Sequence, residues 1–159
     1  DTENLQVLQF RNFTKDNCMA GARVGYLIGE AGLIAEYEKV RDHYGMNRTA
    51  EIGALAALAD QDWLARTVRL TAEARDRIAA IGTGHGLSPI PSATNFVTLD
   101  CRRDTAHART VMEGLLKRGI FVRMPGAEPL SRCIRISAGW PEDLNLFDAM
   151  LGETLRETG

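Results

Sequence analysis

The chain has 159 residues, 45% of them hydrophobic and 25% charged, with a formal net charge of −2 at pH 7. That length fits one domain of about 100–200 residues with a core of its own, and the absence of a basic surplus argues against a nucleic-acid partner. No run approaches the about 18 apolar residues of a membrane span, and no basic start leads into an apolar segment, so neither a membrane partner nor a signal peptide is expected and the cytoplasm is the expected location.

The opening residues 4–10 alternate well enough for a strand and residues 24–28 for a second, both at the edge of a larger sheet. Residues 31–44 read as a helix, with Leu33, Ile34, Tyr37 and Val40 at helical spacing, Glu30 near the start and Gly45-Met46-Asn47 as the stop. Thr49 offers an N-cap to residues 50–59, a segment rich in Ala and Leu that is expected to be a tightly buried helix. Residues 62–81 form a long helix with Trp63, Thr67, Leu70, Ala74, Ile78 and Ile81 on one face. Gly82-Thr83-Gly84-His85-Gly86 ends it; these glycines follow a helix rather than a strand, so they are a cap and loop and not a phosphate loop. Pro89 and Pro91 stiffen the approach to a strand at 92–99 carrying Phe96, Val97 and Leu99. Asp104-Thr105 caps a helix through Lys117, with Ala108, Val111, Met112 and Leu115 inward and Gly119 at its end. Residues 120–123 and 133–137 are two strands joined by a turn-rich loop, and Pro141 with Glu142 and Asp143 opens a last helix. This order describes a small α+β layer, an antiparallel sheet covered by helices.

Lys15 falls just past the first strand, where α/β proteins place their chemistry. Arg23 follows eight residues on, and Ala20-Gly21 between them lets the backbone fold closely enough for both cations to face one anionic ligand. An amine condenses with an aldehyde, and an arginine beside a hydroxyl such as Thr14 suits a phosphate. Pyridoxal phosphate is the ligand that asks for both. The plainer alternative is a surface lysine and a salt-bridged arginine. Arg123 and Arg135 each interrupt an apolar strand, where a charged residue points to solvent or to an anion. Cys18, Cys101 and Cys133 are odd in number and lack CxxC spacing, which fits reduced thiols in a core or pocket wall and no metal site.

Residues 11–26 resemble the lysine segment of the fold-type I pyridoxal-phosphate aminotransferases, most nearly the histidinol-phosphate aminotransferase branch. The shared pattern is a hydroxyl residue, Lys, eight positions to Arg, then Gly and an aromatic: here Thr14, Lys15, Arg23, Gly25 and Tyr26, with Gly21 in its place between. The resemblance implies an α/β fold, the C-terminal part of a PLP-dependent transferase. Residues 1–60 would be the remnant of the large cofactor-binding domain and residues 61–159 the small C-terminal domain. It implies that Lys15 is the catalytic lysine, holding pyridoxal 5'-phosphate as an imine and moving a proton, and that Thr14 and Arg23 contact the cofactor phosphate. The runs Gly-Ile-x-Val-Arg and Ile-Arg-Ile-Ser-x-Gly resemble the family's small-domain strands, which implies Arg135 as the grip on the substrate's anionic group and Arg123 as a second anchor. The run Ser-x-x-Asn-Phe at 92–96 resembles the approach to that domain, with Asn95 a turn-former or a substrate-side residue, and Asn47 and Arg48 fall near the family's dimer interface. Asn12 where a hydroxyl is frequent, the polar Asp16-Asn17-Cys18 and Trp140 where a small hydroxyl is usual depart from the pattern.

The implied reaction moves an amino group between an anionic amino acid or amino-alcohol phosphate and a 2-oxo acid, in a homodimer when full length. Because the chain opens on Asp1 and runs almost at once into a strand, an upstream stretch is expected and this portion alone is expected to be inactive. Two other readings stay open: a non-catalytic binding or interaction domain on the same scaffold, and decarboxylation of an amino-acid phosphate.

Overall fold

The computed structural model describes residues 7–15 and 17–159. The chain divides into two compact units, Asp1–Val68 and Arg69–Gly159.

In the first unit, strands β1 (Gln9–Asn12) and β2 (Gly25–Ile28) pair antiparallel, with Gln9 opposite Ile28 and Asn12 opposite Gly25. Residues 4–6 of the expected first strand lie outside the described residues, and the ladder continues past residue 10 to Asn12. Among the described residues the ribbon has two strands and no third. Gly25 is required for the close approach, since a Cβ there would stand 2.5 Å from the Arg11 carbonyl oxygen.

Helix α1 (Ala31–Glu38) is shorter than the helix expected over 31–44. Its start is set by Glu30, whose carboxylate accepts the Leu33 N–H at 3.1 Å. Past Glu38 the N–H groups of Val40 and Arg41 both turn to the Tyr37 carbonyl, and the Asp42 side chain accepts the Tyr44 N–H at 2.9 Å, a local turn that replaces further helix. Helix α2 (Arg48–Ala59) is capped by Asn47, which accepts the Ala50 N–H at 2.8 Å, rather than by Thr49.

The expectation of a tightly buried α2 is corrected as well. Ala50 and Ala54 pack with Phe13 and Val24, whereas Ile52 and Leu55 are 69% and 64% exposed. A helix apolar on two sides covers the first with this ribbon and leaves the second bare.

Helix α3 (Gln61–Gly84) carries the unit boundary and runs one turn past Ile81. In the second unit, β3 (Ser88–Ile90), β4 (Phe96–Asp100) and β5 (Cys133–Ser137) form an antiparallel sheet in that order, accompanied by α4 (Thr105–Lys117) and α5 (Pro141–Thr158). The expected α+β layer is present. Its core follows the period of two along the strands: Val97, Leu99, Ile134 and Ile136 point inward onto Ile78 of α3, Val111 and Leu115 of α4 and Leu144, Phe147 and Leu151 of α5. Each such side chain contributes about 1.5–3 kcal/mol when fully buried.

Two strand expectations change. The prolines read as a stiff approach belong in part to β3, where Pro89 pairs opposite Leu99 on an edge strand that tolerates a missing N–H. The strand expected over 120–123 reduces to one antiparallel bridge, Arg123 to Arg135. Pro125 follows two residues later and offers no N–H to extend the ladder.

Candidate functional site

The excursion between β1 and β2, residues 13–24, is pinned from within. Phe13, 2% exposed, anchors it in the first unit's core. Its N–H donates to the Val24 carbonyl at 3.4 Å and its carbonyl accepts the Met19 N–H at 2.9 Å. Lys15 stands two residues beyond this anchor, with its carbonyl accepting the Cys18 N–H at 3.1 Å in a tight turn. The Lys15 side chain is exposed and has no ion-pair partner among the described residues. Two non-glycine residues of the loop, Cys18 at φ 56° and Arg23 at φ 53°, occupy the left-handed region, a conformation that costs of order 1 kcal/mol or more and collects at functional sites.

Arg23 closes the short 3₁₀ turn Ala20–Ala22, with Nη1 donating to the Ala20 carbonyl at 3.2 Å. Thr14 is tied to Asn12: its N–H donates to Asn12 Oδ1 at 3.1 Å and its hydroxyl donates to the same oxygen. A backbone N–H can only donate, so the carbonyl end of the Asn12 amide must face Thr14. The Asn12 NH₂ and the lone pairs of the Thr14 hydroxyl then remain for other partners. The structure therefore sets Thr14, Lys15 and Arg23 on one anchored loop; Asp16 lies outside the described residues. In kind, the donor set fits a phosphorylated aldehyde: a primary amine, a guanidinium with N–H groups to spare, a hydroxyl and an amide, with no carboxylate among the described residues paired to either cation.

The second unit holds the other two candidate arginines, Arg123 and Arg135, as a backbone-bridged pair. The Arg135 N–H donates to the Arg123 carbonyl at 2.6 Å and the Arg123 N–H to the Arg135 carbonyl at 3.2 Å. Residues so paired put their side chains on the same face of a sheet, and like charges directly opposite are destabilising. Neither guanidinium has an acidic partner among the described residues. Both line a cavity of about 240 Å³, together with Ser137, Asp143, Ile136 and Phe147. Arg123 is exposed; Arg135 is partly buried, with Cζ 4.6 Å from the centroid of the Phe96 ring.

Sequence reasoning missed two participants. Phe96 reads as an ordinary strand residue, and only the register of β4 on β5 brings its ring to Arg135. Asn12 reads as a departure from a pattern, although an asparagine two residues before a threonine is itself an Asx-turn signal. The cysteines at 101 and 133 are buried core thiols and Cys18 is exposed on the loop. Burial, then the neighbouring Cys133 and Asp100, pushes the Cys101 thiol up to about 12, and burial with Asp100 raises Cys133. Both thiols are neutral near pH 7.

Comparison with known proteins places the chain in a family. Residues 2–146 match the family described as aminotransferase class I and II. The chain is 35% identical over 156 residues to the histidinol-phosphate aminotransferase of Oleidesulfovibrio alaskensis, covering 98% of this chain and 41% of that protein. The crystal structure of histidinol-phosphate aminotransferase from Sinorhizobium meliloti in complex with pyridoxal-5'-phosphate matches with a TM-score of 0.91 and 42% identity, over 99% of this chain and 43% of that one. L-threonine-O-3-phosphate decarboxylase from Porphyromonas gingivalis shares the fold at a TM-score of 0.79 with 20% identity, over 98% of this chain and 49% of that one. The chain thus spans about two-fifths of the length of the curated relatives it matches. With the family matched over most of its residues and the fold matched over nearly all of them, the chain belongs to the class I and II aminotransferases.

Proposed function

We propose that this chain is the part of a pyridoxal-phosphate-dependent aminotransferase of the histidinol-phosphate type that supplies the reactive lysine and the substrate's anion anchors. The whole enzyme works as a homodimer on an amino donor and a 2-oxo acid acceptor. The observation that carries the reading is the Arg123–Arg135 pair: two arginines bridged opposite each other through their backbones, both lining one cavity, with no acidic ion-pair partner among the described residues. Such a pair is unfavourable by itself and is relieved by an anion. A dianionic phosphate answers two guanidiniums better than a single carboxylate does, which favours an amino-alcohol phosphate as donor.

Pyridoxal phosphate, when bound, supplies the electron sink that weakens bonds at the substrate carbon beside the nitrogen. Lys15 Nζ would hold the cofactor through its aldehyde carbon and would take and return the proton at that substrate carbon. Arg23, with Thr14 and its tether Asn12, would hold the phosphate by charge-assisted and neutral hydrogen bonds. Arg135 and Arg123 would bind and orient the substrate through its anionic end, so that its amine is presented to the lysine's chemistry and not to water.

The test is substrate affinity in the complete, cofactor-loaded enzyme. Loss of one charge-assisted contact of about 1.5–3 kcal/mol raises KM for a phosphorylated amino-alcohol roughly 10- to 100-fold. Arg135→Ala is expected to fall in that range, with a smaller effect on the unphosphorylated amino-alcohol. An unchanged KM in Arg135→Ala and Arg123→Ala alike would remove the anion anchor and with it this reading.

A further inference from the structure

Phe96 opens β4 and stands diagonally across from Arg135: Phe96 pairs with Ser137, and Thr98 pairs with Arg135. Residues two apart on one strand share a face, so ring and guanidinium lie on the same side of the sheet, within reach of two long side chains. The guanidinium carbon is 4.6 Å from the ring centroid, inside the about 6 Å over which a cation is drawn to an aromatic face. No hydrogen bond or ion pair among the described residues restrains that guanidinium. The ring is therefore what holds it.

The backbone that carries the ring is itself held. The Phe96 carbonyl accepts from Ser92 Oγ at 2.6 Å and from Thr94 Oγ1 at 3.3 Å, and the Phe96 N–H donates to Thr94 Oγ1 at 3.4 Å. Arg75 Nη1 of α3 donates to the Thr94 carbonyl at 3.1 Å, and the Ala138 N–H just past β5 donates to the Asn95 carbonyl at 2.9 Å. The run Ser92 to Phe96 is thus a clamp of hydroxyls and backbone that fixes where β4 begins.

We propose that Phe96 is a positioning residue for Arg135: the clamped ring lies beneath the guanidinium and sets the plane in which its N–H fork meets the substrate's anion. This inference rests on the anion reading of Arg135 above. A guanidinium stacked on a ring keeps its in-plane donors free for an oxyanion, which an ammonium on a flexible stem would not reproduce.

The test uses the complete, cofactor-loaded enzyme, nitrogen-15 labelled at arginine and titrated with inorganic phosphate. In the parent chain the Arg135 Nε–H resonance is shifted by the ring current of Phe96 and moves on phosphate addition. Phe96→Leu is expected to lose the ring-current shift and to weaken phosphate binding at Arg135 about five-fold, whereas Phe96→Tyr retains both. If Phe96→Leu lowers the melting temperature but leaves phosphate affinity at the parent value, Phe96 is structural only and the proposal is overturned. If the parent chain shows no phosphate response at Arg123 or Arg135, the anion reading itself fails and this inference goes with it. Arg135→Ala, read at the Arg123 Nε–H that remains, separates the two failures, because it weakens the Arg123 response only when the two arginines share an anion site.

Discussion

Thr154 of α5 is wholly buried against Gly114 of α4: a Cβ on that glycine would stand 2.6 Å from the threonine methyl, and the Thr154 hydroxyl has no hydrogen-bond partner among the described residues. Its methyl side packs the helix pair and its hydroxyl opposes the packing, since an unpaired buried hydroxyl costs about 1–3 kcal/mol. Thr154→Val keeps the shape and deletes the orphaned group. It is expected to raise stability by about 1 kcal/mol, read as a higher urea midpoint at unchanged slope. A lower midpoint would show that the hydroxyl is satisfied.

The buried thiols set an alkaline limit on stability. Cys101 is raised by burial, then by Cys133 and Asp100, from 9.0 to about 12. With the folded value above the unfolded one, the unfolded chain loses its thiol proton first. The stabilisation is therefore constant below about pH 9 and is lost as pH climbs from there toward about 12. Urea unfolding at pH 8 and pH 10.5 is expected to show a steeper alkaline loss in the parent than in Cys101→Ala. At pH 8 a thiol reagent should modify Cys18 in the native protein and reach Cys101 and Cys133 only after unfolding. Equal reactivity of all three in the native state would contradict the burial.

Much of this was legible from the residues because local chemistry decided it. Asp104 caps α4 as its place before Thr105 implies, accepting the His107 N–H at 2.8 Å, and the inward set Ala108, Val111 and Leu115 of that helix is buried in the core. The segment carrying Thr14, Lys15 and Arg23 lies between two paired strands as their flanking apolar runs imply. What sequence alone did not give depends on competition between equivalent groups or on register. Asn47 and Thr49 are both competent caps, and only the backbone path selects Asn47. The Arg123–Arg135 bridge and the Phe96 ring beneath it depend on pairing between segments far apart in the chain, which periodicity within each segment does not encode. The bare face of α2 at Ile52 and Leu55 differs from the burial its composition suggests, because apolar composition does not say which side has a neighbour.

The most direct measurement is borohydride reduction of the complete enzyme after incubation with pyridoxal phosphate, followed by peptide mass spectrometry. One reduced cofactor mass is expected on Lys15, with none on Lys39 or Lys117 and none anywhere on this chain in Lys15→Ala. Label spread evenly over the three lysines, or retained in Lys15→Ala, would contradict the assignment of Lys15 as the amine that meets the cofactor.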